Sequence, residues 1–296
     1  MKLGLNLSFA VKRWMKPDVL AKMCADDFGV KHIQFTWDLA DPWWPEAERD
    51  AVARTYAAAF DRAGLSIDAT FGGLAAYSYP QLLAPSREVR DVSEAFFKRA
   101  IDMTRAMGVK VMGTPLGGMD YADARNPDVR AERYKTMLQS VRNLAAYGKL
   151  KGLDHIEIEA TPLITEFPHS PDAAVKLMQD LEGTDIPVML LIDWGHALFK
   201  PLLKEEADIA LWFKKCKNHI GAIHLQQTDG RWDRHWDFTN PEGILTPEII
   251  ARETRKAGLD HIIQYLEVVT IFEDTDEHVY DGMKKTMDLL NKAFSA

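Results

Sequence analysis

The feature that most constrains this chain is a piece of punctuation repeated along it: a helical stretch stops at a glycine, and a short apolar run starts at once. Phe28-Gly-Val, Ala63-Gly-Leu-Ser-Ile, Met107-Gly-Val-Lys-Val and Ala257-Gly-Leu-Asp-His-Ile all follow this pattern. The residue just past a helix commonly turns left-handed, and glycine does so at the least cost. Strands that repeatedly begin behind such a stop call for α/β units and a parallel sheet.

Eight strand-then-helix units can be counted. Strands are expected over 3–9, 30–35, 66–71 and 109–113, then around His155–Glu159, Met189–Asp193, Gly221–Gln226 and His261–Val269. Between them lie helices from Pro17 to Gly29 and Glu46 to Ala63, one facing inward with Phe96, Ala100, Met103 and Met107, and one with Tyr134, Met137, Leu138, Val141 and Leu144. Further helices are expected at Pro171–Leu181, Glu205–Cys216 and Pro247–Ala257, with a last one burying Val279, Met283, Met287 and Leu290. A doubly wound sheet would want a glycine-rich turn after its first strand, where this chain has Ser8-Phe9-Ala10-Val11-Lys12. The expected fold is therefore α/β, a (β/α)8 TIM barrel. No linker or low-complexity tract divides residues 1–296, so one domain is expected.

A net charge of -8 argues against a nucleic-acid surface. Cys24 and Cys216 are too few for a disulfide framework or a thiolate zinc site. The start, Met1-Lys-Leu-Gly-Leu-Asn-Leu-Ser-Phe, has no signal-peptide core, and no apolar run reaches membrane length. The expected setting is the cytoplasm, with no membrane partner.

Four of the strands carry chemistry at their ends. Met189-Leu-Leu-Ile-Asp193 is an apolar run stopped by a carboxylate; Glu159, His224 and Glu267 stand at or near the ends of three others. A charge on a strand buried on both faces must be paired, hydrogen-bonded or metal-bound. In a barrel the strand C-termini share one mouth, so units five to eight would gather the four side chains there. Three carboxylates and one imidazole suit Mn²⁺, Co²⁺, Mg²⁺ or Fe²⁺ better than a closed zinc site. Salt-bridged barrel residues are the plainer alternative. Glu157 shares the strand face of Glu159, which is preferred as the last strand residue before Thr161-Pro162.

A strand-end Glu, Asp-x-x-His, a strand His and a final Leu-Glu, in this order, resemble the xylose isomerase-like TIM barrels of sugar isomerases and 3-epimerases. The ketose 3-epimerases acting on tagatose and psicose are the nearest model. The resemblance spans essentially the whole chain. It implies Glu159, Asp193, His224 and Glu267 as ligands of a divalent metal, Mn²⁺ first, with Glu159 and Glu267 exchanging a proton with a substrate carbon. It also implies a cis-enediolate stabilised by the metal, substrate oxygen bound by His196, and a homo-oligomer, dimer or tetramer. Asn6 to Trp14 together with Asp41-Pro-Trp-Trp-Pro-Glu46 is similar to a bacterial subgroup linked to erythrulose phosphates in erythritol catabolism.

The stretch from Gln226 to Phe238 departs from that pattern. Family members often carry an aspartate and an arginine where this chain has Gln226 and Gly230. Arg231, Arg234 and His235 are the candidates for the substrate-binding cation, with Arg231 favoured and a solvated loop as the alternative. Asn6, Trp37 and Lys12 are further substrate-binding candidates at the mouth. The aromatic loop from Trp37 to Trp44 would wall off a sugar or form a dimer interface. A phosphate would not sit on the acidic, glycine-free loop from Val268 to Glu277; Lys12, Arg13, Arg231, Arg234 and the Gly117-Gly118 turn are the alternatives. The expected activity is isomerisation or 3-epimerisation of a small ketose or its phosphate. A lyase (dehydratase or decarboxylase) on the same metal is the competing enzyme, ahead of a sugar-binding barrel without catalysis and an endonuclease.

Overall fold

The computed structural model describes residues 1–79 and 81–295. Eight parallel strands close a barrel in sequence order: β1 (Lys2–Asn6), β2 (His32–Thr36), β3 (Ser66–Phe71), β4 (Val111–Thr114), β5 (His155–Ala160), β6 (Val188–Asp193), β7 (Ile220–Leu225) and β8 (Ile263–Leu266). Pairing of β1 with β8, Leu5 beside Leu266, completes the circle. The expected (β/α)8 barrel is what the chain forms.

Long helices cover the outside, notably Glu46–Arg62, Arg87–Ala106, Pro127–Lys151, Pro247–Ala257 and Asp276–Ser295. The main apolar core fills the space between them and the strands, through residues such as Phe96, Ile101, Met137, Val141, Ile250 and Met287. No helix among the described residues is long and apolar enough to cross a membrane.

A second, small apolar cluster lies inside the barrel: Phe71, Leu191, Ala222 and Tyr265. Its positions explain where the polar groups fall. Side chains two apart on a strand share a face, and Asp193, His224 and Glu267 each follow a cluster member by two residues. The carboxylates and imidazole therefore form the next layer up, towards the strand C-termini. Asp193 and His224 are paired in register across β6 and β7. The Phe71 ring meets His224 edge-on, centroids 4.6 Å apart, so the apolar layer is the floor of the site.

Several element boundaries differ from the sequence expectation. The first strand stops at Asn6, because the Asn6 side-chain oxygen Oδ1 accepts from Ser8 N and caps a 3-10 turn over Leu7–Ala10. The helix expected from Glu205 begins at Ile209, with Asp208 accepting from Ala210 N as its cap. β8 begins at Ile263 rather than His261. Short helices also occupy the loops beyond the strand ends, at Gly73–Ser78 and Trp194–Ala197 among others. Runs of four to six residues carry too few turns to leave a periodic apolar pattern in the sequence.

Candidate metal centre and active site

Glu159, Asp193, His224 and Glu267 are all buried, and each offers a ligand atom within 4.8 Å of the others'. Glu157, the rejected neighbour, lies two residues earlier on the same face, one layer deeper, and pairs with His155 Nε2 at 3.1 Å. The quartet is therefore assembled with Glu159.

Its atoms converge without satisfying one another. His224 Nδ1 lies 2.8 Å from Glu267 Oε2 and 3.4 Å from Glu159 Oε1, yet it makes no aligned hydrogen bond. Glu159 Oε1 and Asp193 Oδ2 are likewise buried without a partner. Leaving buried polar atoms unmade costs about 1–3 kcal/mol each, more for charged ones. Three such atoms around one point fit a divalent cation, and three carboxylates with an imidazole are the donor set for Mn²⁺, Fe²⁺, Co²⁺ or Mg²⁺. Burial raises the Glu159 carboxyl pKa. Burial acts the same way on Glu267, but His224 and the imidazoles of His235 and His196 outweigh it and hold that carboxyl low. His224 is pushed up to about 10: burial alone would lower it, and Glu267 and Glu159 overcome that.

The other groups of the set are oriented. Asp193 Oδ1 accepts from His196 N at 3.0 Å and from Gln226 Nε2 at 2.9 Å. His224 Nε2 meets Gln34 Oε1 at 2.7 Å, and Asn6 Nδ2 donates to the same oxygen at 2.6 Å.

Beside the quartet lies a second group, His196, Asp233 and His235, also within 4.8 Å of one another. His196 Nδ1 is 2.9 Å from Ala160 O, which fixes its proton there and turns Nε2 to Asp233 Oδ2 at 3.1 Å. Burial disfavours charge on His196, but Asp233, Asp193 and Glu159 hold its pKa well above the usual range. His235 rises to about 9 against its own burial, mainly through Asp233. Asp233, exposed at the edge of the cavity, is in turn held low by the two imidazoles, which outweigh the desolvation of its carboxyl.

A cavity of about 290 Å³ opens over both groups. Glu159, Glu267, Asp233, Arg234 and His235 supply its polar side, and Phe71, Leu74 and Val269 its apolar side. Tyr77 also faces it, and its hydroxyl is buried with no partner. Tyr77 sits on the short helix Gly73–Ser78, held by half-buried Asp38, whose oxygens accept from Leu74 N at 3.0 Å and Ala75 N at 2.8 Å. Gly73 is left-handed at φ 54°, and a Cβ there would collide with that carboxylate.

The remaining sequence candidates fall in different places. His196, Arg234 and His235 are at the site. Arg231, the favoured cation, is exposed and does not line the cavity. It lies on a turn in which Asp229 accepts from the Arg231 and Trp232 amides, and that turn sends Arg234 inward instead. Arg234 stacks on Trp236, 4.6 Å from the ring centre, with Asp229 Oδ2 2.8 Å from Nη2. Trp37 is buried between Phe96 and Phe97, away from the cavity. Asn6 is buried beside the quartet and spends both ends of its amide on Gln34 and Ser8. Lys12 is exposed and rests over Phe272, 4.6 Å from the ring centre. Arg13 staples the loop after β8 by donating to Ile271 O, Asp274 O and Asp276 Oδ1, so it is not free for an anion.

Gln34, Tyr77 and Asp233 were not singled out from the sequence. Gln34 had a signal, a lone polar residue inside the apolar run Val30-Lys-His-Ile-Gln-Phe. Tyr77 had none.

The fold and the layer of three carboxylates and one imidazole define a class of barrel, and comparison with known proteins agrees. Residues 24–291 match the family model described as xylose isomerase-like TIM barrel, and the chain belongs to that family. A D-erythrulose 1-phosphate 3-epimerase from Brucella abortus (strain 2308) is 24% identical over 267 residues, 87% of this chain and 84% of that protein. A crystal structure from Rhodospirillum rubrum, provisionally described as a xylose isomerase, superposes with a TM-score of 0.97 at 48% identity over 99% of both chains. The D-psicose 3-epimerase of Clostridium cellulolyticum H10, solved with D-tagatose, shares the fold at a TM-score of 0.73 and 14% identity over 99% of each chain.

Proposed function

We propose that this protein is a divalent-metal-dependent epimerase of a small ketose or ketose phosphate, acting at carbon 3. The observation that carries the reading is the convergence of unpartnered Glu159, Asp193 and His224 atoms beside Glu267, at the floor of a cavity sized for a small sugar. The Brucella relative supports the substrate class and the position.

Glu159, Asp193, His224 and Glu267 would hold the ion, Mn²⁺ first. A bound ion would supply Lewis acidity to a ketose carbonyl, which would acidify the adjacent C–H. Glu159 on β5 and Glu267 at the end of β8 stand three strands apart around the mouth. One carboxylate takes the proton from carbon 3, and the other returns a proton to the opposite face, inverting that carbon. His196 and His235, held cationic by Asp233, donate to substrate oxygen. Tyr77 donates to a substrate hydroxyl, Leu74 and Val269 cover apolar C–H faces, and Arg234 is the cavity cation for a phosphate.

The test is incubation of tetruloses to hexuloses, free and phosphorylated, in D₂O with the Mn²⁺-loaded protein, followed by NMR and mass spectrometry. The expected result is one deuterium at carbon 3 and a new epimer of otherwise unchanged mass. A product lighter by water or CO₂ would make the protein a lyase, and exchange with none of these ketoses would refute the reading.

A further inference from the structure

Whether His224 can serve as a ligand depends on which ring nitrogen carries its proton, and the buried hydrogen bonds around it decide this. Ser8 N and Ser8 Oγ both approach Asn6 Oδ1, at 2.9 and 2.7 Å. A backbone N–H can only donate, so that Asn6 atom is the oxygen and the other is the NH₂. The Asn6 Nδ2 group then donates to the Gln34 atom 2.6 Å away, which must be the amide oxygen. That oxygen is 2.7 Å from His224 Nε2 and can only accept, so Nε2 keeps its hydrogen. In the neutral imidazole, the form that can ligate a metal, the lone pair then falls on Nδ1, the nitrogen that faces Glu159 and Glu267. Asn6, Gln34 and His224 are all fully buried, so bulk solvent does not compete for these bonds.

We propose that Ser8, Asn6 and Gln34 form a relay that positions His224 as an Nδ1 ligand, with Asn6 and Gln34 acting as positioning residues that touch neither metal nor substrate. The inference rests on the quartet being a metal site. A backbone amide on the first loop thereby sets the coordinating atom on β7. Partners that fix a ligating imidazole typically matter 10–100-fold in metal affinity.

The relay makes a prediction that burial or packing alone does not. Asn6→Asp is nearly isosteric, but it places an oxygen where Nδ2 was. Gln34 must then turn its NH₂ towards that oxygen and towards His224 Nε2. Nε2 becomes the acceptor, the ring proton moves to Nδ1, and the ligand position is blocked. Gln34→Glu keeps an acceptor facing both partners, whereas Gln34→Leu removes it.

The experiment is Mn²⁺ titration of the wild type and the three variants by calorimetry, with circular dichroism melts as the folding control. Asn6→Asp and Gln34→Leu are expected to bind Mn²⁺ at least about 10-fold more weakly than the wild type, while Gln34→Glu stays within a few-fold. Wild-type affinity in folded Asn6→Asp would overturn the relay, as would equal losses in Gln34→Glu and Gln34→Leu. A wild type that binds no Mn²⁺, Co²⁺, Fe²⁺ or Mg²⁺ would refute the metal site itself, and the relay with it.

Discussion

Replacing Tyr77 with phenylalanine should move stability and activity in opposite directions. The Tyr77 hydroxyl is buried, faces the cavity and has no partner within the protein. Burial raises its pKa well above the usual tyrosine value, with Glu159, Glu166, Asp233 and Glu267 adding to the shift, so the phenol stays neutral and can donate. An unpartnered buried hydroxyl costs the free protein about 1–3 kcal/mol. Phenylalanine relieves that cost and keeps the ring, so the melting temperature of Tyr77→Phe should equal or exceed that of the wild type. The bound substrate loses one neutral hydrogen bond, about 0.5–1.5 kcal/mol, or roughly 2–10-fold in kcat/KM. The assay pairs thermal melts with steady-state kinetics on the best ketose and on its deoxy analogues. One analogue should be turned over equally well by both proteins, because the hydroxyl it lacks is the one Tyr77 meets. A variant less stable by more than about 1 kcal/mol would show that the hydroxyl is satisfied in the free fold. Unchanged kcat/KM would remove Tyr77 from substrate binding.

Three further outcomes are expected. Arg234→Ala should raise KM for a phosphorylated ketose about 10-fold or more while Arg231→Ala leaves it unchanged, since Arg234 lines the cavity and Arg231 is exposed; equal effects would contradict the assignment. A Cβ at buried Gly195 would collide with Gln226, which donates to Asp193, so Gly195→Ala should weaken Mn²⁺ binding about 10-fold in calorimetric titration. On the opposite face of the barrel, burial lowers the His155 pKa, but its bond to Glu157 and the charges of Glu157 and Asp154 raise it further, for a net increase. A raised histidine stabilises fully below its unfolded value, near about 6.5, and loses that contribution as pH climbs through the folded value. The urea midpoint of the wild type should therefore exceed that of His155→Gln by more at about pH 6 than at about pH 9; a constant difference would show that the pair does not titrate this way.

The sequence made the barrel legible because its signal is repeated: helix stops at Gly64, Gly108 and Gly258 each precede a strand by a few residues, and eight strand-then-helix units leave few alternatives. The quartet was legible for a similar reason, since strand-end charges in apolar runs are costly without a partner. What escaped was geometry set by loops. Arg231 and Arg234 are three residues apart in one polar stretch, and the turn around Asp229 decides which faces the cavity. Trp37 resembled an exposed mouth aromatic, but the Thr36 cap turns its ring into the core against Phe96. Tyr77 lies on a six-residue helix positioned by Asp38, which is thirty-nine residues away in sequence. Such a contact leaves no local pattern.

The central claim is that Glu159, Asp193, His224 and Glu267 form a metal centre. Its most direct test is elemental analysis of the wild type and Asp193→Ala, purified and reconstituted alike. Near-stoichiometric Mn, Co, Fe or Mg in the wild type, lost in the variant, is the predicted result. A wild type that takes up no divalent metal, or a variant that retains it in full, would contradict the account.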